Sequence, residues 1–341
     1  MIRVSLDAMG GDDAPHSPVQ GALEALSEHS GIAVVLVGDE AAIGEELKRR
    51  QVSGEVARRL SVVHASEVVG MDEPAITPIR KKRDSSIRIA AQQVRDGHAD
   101  VMLSAGNTGA AMIASKMVLG VAEGVDRPAL ATTLPNRTGW TILLDVGANV
   151  DTKPEQLLQF AIMGDLFSQE IVGVERPRVG LLSIGEEEGK GNDVTREVFR
   201  SLEASEVNFI GNVEGSDIFR GTADVVVCDG FVGNVVLKSA ETLAEVLFEM
   251  IREEIGKSPL TRLGGGLAKP ALLRLRSRTA YDEFGGAPLL GLKAGSFIAH
   301  GRSNAKAIKN AIVRAAGFAE ARIHERISGR LARIGRIAAG A

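Results

Sequence analysis

The chain has 341 residues, of which 44% are hydrophobic and 25% charged, with a net charge of −4. That composition supports a sizeable core without covalent staples and gives no global attraction to nucleic acid. A single cysteine, Cys228, excludes an intramolecular disulfide and fits a reducing cytoplasm.

Short aliphatic runs alternate with amphipathic segments along the chain. Ile2–Leu6 reads as a first buried strand, Pro18–Glu28 as a helix and Ala33–Val37 as a second strand. A helix over Ser85–Arg95 precedes the strand Val101–Ser104. After the strand Thr141–Leu144 comes a helix over Glu155–Gln169, with Asp151 or Thr152 as its cap and Pro154 in its first turn. Arg178–Ile184, Val207–Ile210 and Val225–Val227 complete the expected strands. The alternation predicts an α/β fold of the Rossmann-like kind, a mostly parallel sheet with helices on both faces, in one domain spanning residues 1–341.

Past a helical pattern at Leu237–Ile255 the composition shifts. Lys257–Tyr281 holds Gly264, Gly265 and Gly266, two prolines, six basic residues and no acidic one, and reads as a protruding amphipathic excursion. The glycines and prolines predict a short helical hairpin or tip in place of a continuous rod. A loop over Tyr281–Gly295 follows. A long helical region starts near Ser303, with Ile308, Ile312, Ala316, Ala319, Ile323, Ile327, Leu331 and Ile334 recurring every three or four positions. No apolar run approaches the roughly 20 residues of a membrane span. The opening Met1–Asp7 lacks the pattern of a secretory signal, so a cytoplasmic protein able to lie on a membrane is expected.

Glycine-rich polar segments collect just after the expected strands, at the edge where parallel α/β sheets bind ligands. They are Asp7–Asp12, Ser104–Ala110, Leu144–Asn149, Ile184–Asn192 and Cys228–Asn234. Glycine lets backbone N–H groups approach an anion, and a helix start adds partial positive charge. Gly106, Asn107, Thr108, Gly109 and Gly233 are therefore candidate phosphate-binding residues, although tight strand-to-helix turns would look the same. Several other chemistries are excluded. Gly185–Lys190 is one residue short of a P-loop, and no dinucleotide fingerprint follows the first strand. There is no nucleophile elbow, and the six histidines lack metal-ligand spacing, so no cofactor and no metal are expected. Cys228, ending an apolar strand, reads as a small buried hydrophobe.

These five loops, taken with Tyr281–Gly291, resemble the PlsX-type phosphate acyltransferases of bacterial phospholipid synthesis over essentially the whole chain. The resemblance implies transfer of a fatty-acyl group from acyl carrier protein to inorganic phosphate. It also implies a fold similar to phosphate acetyltransferases and isopropylmalate dehydrogenases, a homodimer, and peripheral attachment to the inner face of the cell membrane. Lys190 and Asn234 are the catalytic positions it points to. The chemistry agrees: phosphate is already anionic near pH 7 and a thiolate leaves readily, so the reaction needs placement and oxyanion donors more than a catalytic triad. Lys190, Asn149 and Asn234 suit that demand, while an asparagine at a helix start also reads as a plain cap.

The carrier protein is typically acidic, so the basic run containing Arg80, Lys81 and Lys82 is a candidate docking or merely solvated face. His16 is a candidate neighbour of the substrate; His16 and His300 also read as structural polar residues. Leu260, Leu263, Leu267, Arg262 and Lys269 are candidate contacts with an anionic membrane. Two rival functions stay open: a short-chain phosphate acetyltransferase using coenzyme A, and a non-enzymatic scaffold at the membrane surface.

Overall fold

Aliphatic runs such as Ile32–Gly38, buried along their whole length, form strands covered on both faces. A computed structural model describes residues 1–52, 54–279 and 285–340. Its strands are β1 (Ile2–Asp7), β2 (Ile32–Gly38), β3 (Leu60–His64), β4 (Val101–Ser104), β5 (Ala129–Pro135), β6 (Trp140–Leu144), β7 (Val179–Leu182), β8 (Phe209–Val213), β9 (Val225–Val227), β10 (Ala287–Leu290) and β11 (Gly295–Ile298). They form one sheet in the order β3-β2-β1-β4-β11-β10-β5-β6-β9-β7-β8. Pairing is parallel except at the centre, where β11–β10, β10–β5 and β5–β6 are antiparallel.

The helices are α1 (His16–Glu28), α2 (Glu40–Arg49), α3 (Gly54–Arg58), α4 (Ile76–Lys81), α5 (Ser86–Arg95), α6 (Thr108–Leu119), α7 (Pro154–Phe167), α8 (Asp193–Glu203), α9 (Gly215–Arg220), α10 (Gly230–Gly256), α11 (Pro259–Thr279), α12 (Ala305–Glu320) and α13 (Ile323–Gly340). They cover both faces. Val101 and Leu103 of β4 join a core with α1, α7 and α12, whereas Met102 joins the opposite core with α5 and α6. The architecture is the α/β arrangement that the alternating pattern predicts.

Several local expectations are corrected. The cap of α7 is Lys153, not Asp151 or Thr152. A residue before proline is pushed into extended backbone, which Lys153 adopts at φ −95° and ψ 159°, and its N–H donates to Gln156 Oε1 at 2.9 Å. The expected loop before Gly295 contains β10, while Tyr281–Phe284 and the upper end of the excursion at Tyr281 lie outside the described residues. The side chains of Arg278 and Ile334 lie outside them too.

The largest correction is the excursion itself. α10 and α11 run for 27 and 21 residues as a long helical hairpin turning at Lys257 and Ser258. Gly265 does not break α11. A Cβ there would lie 2.4 Å from Ile255 Cγ2, so glycine is what lets the two helices approach. Arg322, with φ 53°, separates α12 from α13. Ile323, Ile327 and Leu331 return α13 to the core, and Arg330 ties it to Asp165 at 2.6 Å and Glu206 at 2.5 Å.

Candidate active site

Two buried carboxylates organise the carboxyl edge of the sheet. Asp7, ending β1, accepts from Ser104 Oγ at 2.7 Å and from the Met9 N–H at 3.2 Å. A Cβ on Gly10 would lie 2.6 Å from Gly106 N, so the loops after β1 and β4 are in contact. Asp145, directly after β6, accepts from the backbone N–H groups of Leu130, Gly147, Ala148 and Asn149 and from Asn149 Nδ2. Burial pushes both carboxyls up, against the lowering effect of these hydrogen bonds.

α10 is clamped to the Asp145 loop at its first turn. Gly230 N–H donates to Asn149 O at 2.7 Å, Asp229 caps the helix by accepting from Val232 N–H at 2.8 Å, and a Cβ on Gly233 would fall 1.9 Å from Asp145 O. Gly233 is thus required for a backbone-to-backbone approach. Asn234 lies one residue further, inside the helix, so it is not the cap. Its side chain has no hydrogen-bond partner among the described residues, faces Gly147 and lines a cavity of about 770 Å³.

The cavity is lined by the polar residues Thr108, Asn234, Lys238 and His300, the last two 3.2 Å apart, and along α10 and α11 by Leu237, Phe248, Ile251, Ile255 and Leu272 together with the charged Glu245, Arg252 and Lys269. Its volume falls in the range of small-molecule sites, about 300–1,000 Å³. Sequence reasoning missed Lys238 and its partner Glu241. The signal was present: Asn234, Lys238 and Glu241 recur at the three- and four-residue steps of one helix face.

Other expected site residues are placed differently. Asn149 Nδ2 donates to Pro128 O and Asp145, so this amide holds the loop together. Asn107 caps α6 by accepting from Ala110 N–H, and its Nδ2 donates to Met71 O and Glu73 O. Thr108 and Gly109 head that helix, where first-turn N–H groups have no intrahelical acceptor, and a Cβ on Gly109 would meet Ala75 at 2.7 Å.

Lys190 stands exposed on the loop before α8 and does not line the cavity. Arg80 and Lys81 are exposed on α4, which lies against α6, while Lys82 is bonded to Glu73 at 2.6 Å. His16 packs near Arg50 and Glu46, apart from the cavity. Cys228 is buried. Burial first, then the charges of Asp229 and Asp145, push its thiol well up, which keeps it a thiol. Among the described residues no group of three His, Cys, Asp or Glu could hold a metal.

A phosphotransacetylase from Streptococcus pyogenes superposes with a TM-score of 0.61 at 16% identity, covering 94% of each chain. A branched-chain phosphotransacylase from Enterococcus faecalis gives 0.58 at 16%, covering 95% of this chain and 99% of that one. The architecture is therefore that of the phosphotransacylase fold. By sequence the chain belongs to the family described as fatty acid synthesis protein, which it matches over residues 2–326. Proteins named phosphate acyltransferase are similar over nearly full length: one from Pelotomaculum thermopropionicum is 51% identical, over 96% of this chain and 94% of that protein. Another, from Aquifex aeolicus, is 49% identical, over 93% of each.

Proposed function

We propose that the chain transfers a long-chain fatty-acyl group from the thioester of acyl carrier protein to inorganic phosphate, giving acyl phosphate for phospholipid synthesis. The observation that carries this reading is a cavity that is lined both by amide, ammonium and hydroxyl donors and by apolar side chains of α10 and α11. A phosphate oxygen attacks the thioester carbonyl, the carbon–sulfur bond breaks, and the hydrogen of HPO4²⁻ ends on the departing thiol. Asn234 donates to the tetrahedral oxyanion, the kind of preorganised donor that lowers such barriers. A cavity of about 770 Å³ with Leu237, Phe248, Ile251, Ile255 and Leu272 in its lining supports a long chain over an acetyl group.

The test is phosphate-dependent thiol release from a long-chain acyl carrier protein, run beside acetyl coenzyme A. Faster release from the long-chain substrate is expected. Faster release from acetyl coenzyme A would move the reading to a short-chain enzyme, and no release from either would leave the scaffold. Lys190 keeps a proposed role as a cation on the loop after β7. Lys190→Ala is expected to remove most turnover with an unchanged melting temperature, measured by steady-state rates and thermal melts; near-normal turnover would discard that role.

The hairpin supports peripheral membrane contact from a cytoplasmic protein. Leu260, Leu263 and Leu267 are exposed by 79%, 66% and 79%, beside the exposed cations Arg262 and Lys269. Basic residues near an anionic leaflet contribute about 1 kcal/mol each. Lys257 contributes less, because Glu254 pairs with it at 2.5 Å. Among the described residues no helix is long and apolar enough to span a bilayer. Leu243, Leu247 and Met250 leave an apolar stripe exposed on α10, which supports a homodimer.

Leu260→Glu and Leu263→Glu are expected to lose sedimentation with anionic liposomes while keeping the dimer. Retained lipid binding with a lost dimer would make the hairpin a dimer arm.

A further inference from the structure

The densest basic run of the chain sits on a loop held together by its own polar groups. The two ends of the loop are stapled side by side: Asp84 accepts from the Ser66 N–H at 2.8 Å and from Ser66 Oγ at 2.6 Å, and the Asp84 N–H donates to Glu67 Oε2 at 2.9 Å. Inside it, Lys82 Nζ donates to Val68 O at 2.8 Å and to Glu73 Oε1 at 2.6 Å, and that oxygen also accepts from the Gly70 N–H. Val69 is buried in the core beneath. Glu67, Glu73, Lys82 and Asp84 are thus engaged in shaping the loop.

The remaining charges face outward. Arg80, Lys81 and Arg83 are exposed and make no ion pair among the described residues, where Asp72 is the one exposed acid of the loop. Val68, Met71 and Ile76 of the same loop are exposed by 39%, 41% and 49%. Ile76 and Arg80 stand four residues apart on α4 and so share one helix face. The loop also flanks the cavity. Asn107 Nδ2 donates to Met71 O and Glu73 O at 2.9 Å each, and the next residue, Thr108, is part of the cavity lining. On the other side Met71 packs where Gly301 has no side chain, and Gly301 adjoins His300 of the lining.

We propose that the loop Ser66–Ser85 is the docking surface for acyl carrier protein, with Arg80, Lys81 and Arg83 meeting its acidic face and Ile76 making an apolar contact among them. This deepens, and rests on, the acyl-transfer reading. Unpaired cations around a small apolar patch complement an acidic protein, and such complementarity sets encounter and orientation. The position supplies the rest of the argument: a carrier held there has its thioester arm beside the cavity that must receive the acyl group. A lipid surface is the weaker occupant, because the leucines suited to it, Leu260, Leu263 and Leu267, stand on α11, beyond the 27 residues of α10.

The test compares thioesters with and without the carrier protein. In the double variant Arg80→Glu, Lys81→Glu the KM for acyl carrier protein is expected to rise about 10- to 100-fold, since reversing a docking charge adds repulsion to lost attraction, while the KM for phosphate and for an acyl-pantetheine of the same chain stay within about twofold of wild type. Arg80→Lys with Lys81→Arg keeps both charges and is expected to bind the carrier nearly as well as wild type. Fluorescence anisotropy of labelled, unacylated carrier protein gives a readout independent of turnover; added salt should weaken binding to the wild type much more than to the double variant. Binding of the carrier by the wild type but not by the double variant, with no thiol release from any acyl thioester, would overturn the acyl-transfer reading and leave this surface standing. Equal carrier binding and equal carrier KM in wild type and the double variant would overturn the surface. So would an equal rise in the KM for acyl-pantetheine, which would place the two cations in the active site, and so would loss of anionic-liposome sedimentation with an unchanged carrier KM, which would make the loop a membrane contact.

Discussion

Asn234→Ala is expected to lower turnover about 10²–10³-fold while leaving the fold as stable as before, the loss typical of removing one oxyanion donor. The two effects separate because the helix cap is Asp229, not Asn234. Replacing a cap would cost about 1 kcal/mol. Replacing an asparagine inside a helix by alanine gains up to about 0.7 kcal/mol in intrinsic preference. Steady-state kinetics and urea unfolding on the same preparation decide the matter. A variant with normal turnover would remove Asn234 from the chemistry, and a variant that loses stability in proportion to rate would make it a packing residue.

Gly233→Ala carries the second large effect, and its cause is steric. The new Cβ would sit 1.9 Å from Asp145 O and 3.0 Å from Cys228 Sγ, and a carbonyl oxygen held in a loop cannot swing aside as a flexible side chain can. Inserting a methylene into a close-packed site typically costs 1–3 kcal/mol and occasionally more; here a loss of at least about 3 kcal/mol is expected. α10 must also lift from the Asp145 loop, which displaces Asn234 and Lys238, so turnover should fall even where the protein remains folded. Gly317→Ala is the matched control, because a Cβ there meets nothing within 4 Å. It is expected to gain up to about 1 kcal/mol, the helix preference of alanine over glycine. Urea midpoints of the two variants measure the contrast; equal midpoints would show that the Gly233 contact relaxes freely.

The strands buried on both faces were legible in the sequence because their aliphatic runs are continuous: β1, β2, β4, β6 and β9 appear where Val, Ile and Leu cluster. β3 was hidden by Ser61 and His64 at the sheet edge, and β5 by two alanines and two threonines. β10 and β11 are hidden by brevity, four residues each beside glycines; β10 falls in the expected loop Tyr281–Gly295 and β11 just past it, before the expected helix. The ligand edge was legible through its glycines, although glycine identity does not separate anion approach from backbone approach. Gly106 and Gly233 serve close packing of loops, and Gly265 the packing of two helices. Asn107, Asn149 and Asn234 look alike as letters. Only the fold shows that two amides are consumed by loop carbonyls and a cap, while the third opens on the cavity. Lys238 is not legible as a site residue because it lies inside α10, where a lysine four residues after Asn234 and three before Glu241 has the pattern of any solvated helix face.

The clamped start of α10 sets where the hairpin would pivot, beside Asn234, with the exposed Glu245–Arg302 pair at 3.3 Å as a second tether further along. At 1.5 Å rise per residue, 27 residues place the turn at Lys257 about 40 Å from Gly230, and Asn234 only about 6 Å from it. A tilt of about 5° about that fulcrum would sweep the tip through about 3.5 Å and shift Asn234 by about 0.5 Å. The far end can therefore adapt to an uneven or moving surface while the donors at the near end stay within hydrogen-bonding tolerance of a bound substrate.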